Sequence, residues 1–225
     1  MPRILFLILL VMTSGNLLAH DLKYRPYKND AVDTIYNLLF CDDLSLYKAK
    51  HTGPIEGPWL VVFSTPPDVK HLQTLATNPS QETRLRILAF NELNKQNLKA
   101  QKKELLGVIV ELGLENGLDT LAAYQDRRIR YINQSGKIII REVTEPKIDD
   151  KIRKLFQEAQ PIIEKIGPWD KPRLPPPSAG RMRLTFLVSD GLYFGEGTMR
   201  DLGHSPLAGP VVTAATELLF ELTRH

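Results

Sequence analysis

The stretch Asp190-Gly191-Leu192-Tyr193-Phe194-Gly195-Glu196-Gly197 sets two carboxylates and two aromatic rings among three glycines. Glycine in a strand lets the chain bend or lets a ligand approach the backbone closely. Two carboxylates can divide acid and base roles in hydrolysis when the fold holds them at a suitable separation. Farther on, Gly203-His204-Ser205-Pro206-Leu207-Ala208-Gly209 adds an imidazole, a group that changes charge near neutral pH. Asp190, Glu196 and His204 are therefore the candidate catalytic acids and bases, and Tyr193 and Phe194 the candidate ligand-binding rings. The glycine spacing fits neither the dinucleotide fingerprint nor the phosphate loop with its lysine. Ser205 does not read as a hydrolase-elbow nucleophile, because Leu207 stands where the second glycine belongs and Pro206 follows the serine directly.

A second constellation is basic. Arg127, Arg128, Arg130, Lys137 and Arg141 gather in one region, and period-two alternation puts Arg128 and Arg130 on one face of a strand. Arg128, Arg130 and Lys137 are the candidate ligand-binding cations; the plainer expectation is a solvated sheet face paired to Glu111 or Glu142. Cys41, the sole cysteine, ends the apolar run Leu38-Leu39-Phe40-Cys41 and is followed by Asp42-Asp43. Neighbouring carboxylates oppose thiolate formation, so burial is expected of it rather than catalysis. The five histidines lack ligand spacing, and neither a metal nor another cofactor is expected.

Several elements must position these residues. Asp30 to Leu39 has a helical apolar side, and Trp59-Leu60-Val61-Val62-Phe63 reads as a buried strand over about 59–64. Two helices follow between 68 and 98, broken at Asn78-Pro79, with Ser80 as the cap of the second. Leu105–Leu112, Thr120–Gln125, Ile129–Asn133 and Lys137–Val143 form a β-meander separated by turn residues. Asp149-Asp150 opens a helix to Ile166 that Pro161 should kink or divide. A proline-rich connector occupies 167–181, strand residues span about 182–195 with a glycine bulge, and Pro210 opens a terminal helix. The expected fold class is α+β, a single domain over 20–225 built on a central antiparallel four-stranded meander with helices packed on it.

Residues 1–19 carry a compartment signal. Arg3 precedes nine unbroken apolar residues, Ile4 to Met12, and Ala19 gives a small residue before His20. That is the three-part pattern of a cleavable export signal, too short to span a bilayer. No later stretch is apolar enough to span, so no membrane span is expected once the signal is removed. A net charge of +3 is too small to point to nucleic acid.

Four segments carry a resemblance: Leu38-Leu39-Phe40-Cys41-Asp42-Asp43, Lys103-Glu104-Leu105-Leu106-Gly107-Val108, Arg130-Tyr131-Ile132-Asn133-Gln134-Ser135-Gly136-Lys137 and Phe186 to Gly197. They resemble a family of bacterial proteins of unknown function over about residues 30–222. The resemblance implies a bacterial origin and a single domain, and brings no activity, cofactor or catalytic residue. The sequence thus leads to an exported, periplasmic or secreted, non-enzymatic protein that binds a small ligand or another protein; the competing expectation is a periplasmic hydrolase using Asp190, Glu196 and His204.

Overall fold

A computed structural model describes residues 22–143 and 145–224 of the chain; the export signal expected at 1–19 lies outside the described residues. The N-terminal part is helical: α1 (Asp30–Leu38), α2 (Leu44–Lys50), α3 (Pro58–Val62), α4 (Val69–Thr77) and α5 (Thr83–Lys95). Short polar side chains start three of them. Asn29 accepts from the backbone N–H groups of Ala31 and Val32, Asp43 from Leu46, and Asp68 from His71, which satisfies helix-end donors that would otherwise be orphaned.

The segment read as a strand near 59–64 is instead α3. Pro58 fixes a helical φ at the first position, and a short continuous apolar run does not by itself distinguish strand from helix. In the helix, Val62 and Phe63 are buried while Leu60 is left 60% exposed. Trp59 lies against Tyr47, His51 and Phe63 with ring centroids 4.9–6.2 Å apart, so the run joins an aromatic cluster and no sheet.

The strands β1 (Leu105–Leu114), β2 (Gly117–Tyr124), β3 (Ile129–Ile132) and β4 (Ile138–Arg141) make the expected meander. They do not complete the sheet. The hairpin of β5 (Arg181–Val188) and β6 (Gly191–Thr198) joins through antiparallel pairing of β5 with β1, giving six strands in the order β4-β3-β2-β1-β5-β6. The fold is therefore α+β with one six-stranded antiparallel sheet.

Helices cover both faces of that sheet. Ile109, Leu118, Ala122, Ile132 and Leu187 meet α1 to α5 on the first face. Val108, Leu121, Leu184 and Phe186 meet α6 (Pro146–Lys165) and α8 (Gly209–Thr223) on the second. Between α6 and β5 the proline-rich connector runs back along the first face. Helix α6 continues through Pro161, so of the expected kink or division the division does not occur. Pro161 and Gln157, whose carbonyl loses its helical donor, are both exposed, so water can take the donor's place.

Candidate functional site

The first face of the sheet carries charge at its centre. Register places Glu111 of β1 between Thr120 of β2 and Arg183 of β5, and Glu111 is fully buried. Tyr36 of α1 donates to Glu111 Oε1 at 2.7 Å, and Arg183 Nη1 lies 3.9 Å from Oε2. Burial raises the Glu111 pKa above its ordinary value against the lowering effect of Tyr36, Arg183 and Arg173, and burial likewise raises that of Tyr36. Arg173 of the connector closes the cluster from above. Its Nε meets Asp42 Oδ2 at 3.0 Å, and its Nη1 and Nη2 donate to Tyr36 Oη and Asn37 Oδ1, each at 3.3 Å. The guanidinium lies 3.6 Å from the Phe40 ring centroid and 4.8 Å from that of Tyr24. A planar fork that bonds at its edge and stacks on its faces is a role lysine cannot take.

The structure does not bring Asp190, Glu196 and His204 together. Asp190 is the second residue of the two-residue turn between β5 and β6, whose pairing is regular from Val188↔Gly191 to Arg181↔Thr198. The glycines therefore make no bulge there; Gly191, which opens β6 directly after the turn, instead takes a positive φ of 147° that favours glycine. Glu196 sits six residues farther along, about 20 Å away at strand rise. His204 ends the short helix α7 (Met199–His204) beyond the far end of β6, its Nδ1 2.7 Å from the Arg200 carbonyl oxygen.

Glu196 is already engaged. Arg181 donates to its Oε1 at 2.6 Å, and Arg183 to its Oε2 at 2.9 and 2.5 Å. Burial pushes its pKa up, but the bonds and charges of these two arginines outweigh that and hold it below the ordinary 4.5. A carboxylate with a lowered folded-state pKa stabilises the fold above its ordinary value, and the contribution is lost as pH falls through the lowered one. Glu196→Gln should therefore cost about 1–3 kcal/mol near neutral pH. Urea denaturation from pH 7 to pH 3 checks this: the gap to wild type should narrow below 4.5 and not above it.

The other expected residues separate in the same way. Tyr193 is fully buried, donates to Asp190 Oδ2 at 2.9 Å and lies under the Lys103 ammonium, so its ring offers no exposed face. Phe194 meets Trp169 edge-on at 5.0 Å and the Arg183 guanidinium at 5.6 Å. Arg128 pairs with Glu142 at 2.7 Å and with Asp126 at 2.6 Å, and Arg130 also pairs with Glu142. The pairing with Glu142 is as expected. Arg130 is only 4% exposed, whereas the Arg128 and Glu142 side chains stay 30% and 48% exposed, so the paired face is solvated at its rim and buried at Arg130, and Glu111 serves Tyr36 and Arg183 instead. Lys137 is exposed.

Cys41 is buried, with Sγ 3.3 Å from Tyr47 Oη, and burial pushes its thiol up to about 12. Ellman's reagent at pH 8 should leave the native protein unlabelled and label one thiol per chain in urea; rapid native labelling would contradict this placement.

Three polar oxygens point to a place the sequence did not single out. Among the described residues, five buried side-chain oxygens have no hydrogen-bond partner within the protein; Asp42 Oδ1, Asn94 Oδ1 and Asp190 Oδ1 are three of them, and all three residues line one cleft of about 480 Å³. Each side chain is fixed by its other polar atom. Asp42 Oδ2 accepts from Arg173, Asn94 Nδ2 donates to the Ser189 carbonyl at 3.0 Å, and Asp190 Oδ2 accepts from Tyr193. The walls are α5, the Asp190 turn and the start of the connector, where Trp169 N donates to the Leu192 carbonyl at 2.7 Å and Trp169 Nε1 to that of Pro172 at 3.1 Å. Leu187 and Leu192 add apolar lining, and Lys99 contributes an ammonium with no ion pair among the described residues.

A second void, about 150 Å³ between the sheet and α8, differs in kind. Its lining is largely apolar, and its polar side chains are satisfied internally: Tyr131 donates to Asp119, and Thr216 to the Val212 carbonyl. An apolar void of that sort, its polar side chains already bonded, makes no demand for a ligand. Among the described residues there is no group of three or more His, Cys, Asp or Glu able to hold a metal ion, and no helix long and apolar enough to cross a membrane.

No protein-family model and no curated protein matches the chain.

Proposed function

We propose that this is an exported, non-enzymatic binding protein that holds a small polar ligand in the cleft between α5, the connector and the Asp190 turn. One observation carries the reading: Asp42, Asn94 and Asp190, each with a buried oxygen that has no protein donor, line the same cleft. A buried acceptor left unsatisfied costs about 1–3 kcal/mol, and unsatisfied groups in a native fold call for a specific explanation. A volume of about 480 Å³ is that of a small-molecule site. The apolar run after Arg3 supports the export part of the proposal, and with it a periplasmic or secreted location.

Hydrolysis has less support. A carboxylate pair working on a glycosidic bond stands about 5–10 Å apart, against the span of β6 that separates Asp190 from Glu196, and both oxygens of Glu196 accept from arginines.

The test is ligand-linked stabilisation. Melting temperature is measured against a panel of small polar compounds: neutral saccharides, polyamines, amino acids and nucleosides. A compound that binds only the folded state raises it, by about 2.7 kcal/mol of stability at a hundred times Kd. The proposal expects at least one such compound, with the rise abolished in Trp169→Ala and Asn94→Leu. A panel without effect, or a rise that both variants retain in full, would overturn it.

A further inference from the structure

We infer that the void of about 150 Å³ between the sheet and α8 is a second binding site, one that takes a single neutral aromatic ring. It shares no lining residue with the polar cleft, so the two readings stand or fall separately. The polar groups of the void need no partner; what its walls lack is apolar contact.

The space arises from the way two regular elements meet. Val110 of β1 and Leu121 of β2 are cross-strand neighbours, and Met182 of β5 belongs to the same face of the sheet. Against them α8 presents Val212, Ala215 and Leu219, spaced three and four residues apart on one side of the helix. Ala215 is the smallest side chain of that row, and a methyl group between longer neighbours leaves the space beside it unfilled. Wall atoms that face a gap forfeit their dispersion contacts, and an apolar guest restores them.

The chemistry of the lining selects the guest. Asp119 accepts from Tyr131 Oη at 3.1 Å through Oδ2 and from the Gln134 backbone N–H at 2.6 Å through Oδ1, and Thr216 donates to the Val212 carbonyl. A charged or strongly polar molecule would give up its water there without gaining a partner. Benzene fits an apolar protein cavity of this volume. Two thioethers, Met182 and Met199, share the wall with the ring of Tyr131, and sulfur and ring contacts both favour an aromatic guest over a saturated one. Met199 also marks the way in. It is 49% exposed at the first position of α7, and its unbranched side chain can swing aside while the backbone stays in place.

The experiment titrates the full chain, carrying isotope-labelled methionine methyl groups, with benzene; cyclohexane and phenol are parallel arms. The methyl resonances of Met182 and Met199 are followed by NMR, each assigned from its leucine variant. Benzene should shift both saturably, and cyclohexane should bind about 2–10-fold more weakly, the worth of sulfur–ring contact. Ala215→Leu fills the space and should weaken benzene about tenfold or more; Leu219→Phe does the same from the next turn of α8, and circular dichroism confirms which variants fold. No saturable shift with benzene overturns the site. Benzene binding that a folded filling variant retains in full overturns its placement here. Cyclohexane binding as tightly as benzene overturns the aromatic class, and phenol binding without benzene overturns the neutral, apolar character assigned to the guest.

Discussion

Arg173→Ala should destabilise the protein by about 3–5 kcal/mol, the range for removing one partner of a buried ion pair. Arg173 is 5% exposed, and its removal strips Asp42 of its closest cation and leaves Tyr36 and Asn37 without their shared donor. At about 2–4 °C per kcal/mol for a chain of this size, the melting temperature should fall by about 6–20 °C in a circular-dichroism melt. Arg173→Lys should recover less than half of the loss, since a compact ammonium has no planar fork to span Asp42, Tyr36 and Asn37 while stacking on Phe40 and Tyr24. A loss below 1 kcal/mol for the alanine variant would mean that the connector is not pinned to α1 as described.

Gly113→Ala should cost about 3 kcal/mol or more, above the middle of the range for overpacked sites. A Cβ at this position of β1 would stand 2.2 Å from the Ser178 carbonyl oxygen and 2.5 Å from that of Pro177, and Gly180 N donates to the Gly113 carbonyl at 2.9 Å on the same crossing. Both obstacles are backbone, so no side chain can turn aside; the connector itself must lift from the sheet. Gly195→Ala is the control. Nothing lies within 4 Å of its added Cβ, and its urea midpoint should stay within about 0.5 kcal/mol of wild type.

Arg173 and Gly113 also mark where sequence reading stopped. Periodicity and turn residues placed α1, α4, α5, the meander, α6 and α8, because each element states its pattern within a dozen residues. The pairing of β5 with β1 joins residues 70 to 83 positions apart in sequence, and nothing local records it. Pro58 and the run after it failed for a local reason, since helix and strand both accommodate five apolar residues. The candidate site fared similarly. Asp190 was legible as a carboxylate in a glycine-rich turn, yet its neighbours in space, Asn94 and Trp169, sat in segments read as an ordinary helix and a linker. Arg173 lay inside that linker, and a lone arginine among prolines gives no sign that Asp42 and Tyr36 surround it. Conversely, Glu196 and His204 looked close along the chain because sequence distance ignores the length of an extended strand.

The binding reading depends on the cleft lined by Asp42, Asn94 and Asp190 having an occupant. A crystal structure of the protein soaked with the tightest binder from the stabilisation panel tests it most directly. Ligand density is predicted in the cleft beside Trp169, in contact with the side chains of Asn94 and Asp190. Density confined to the apolar cavity under α8, or a ligand that touches neither Asn94 nor Asp190, would contradict it.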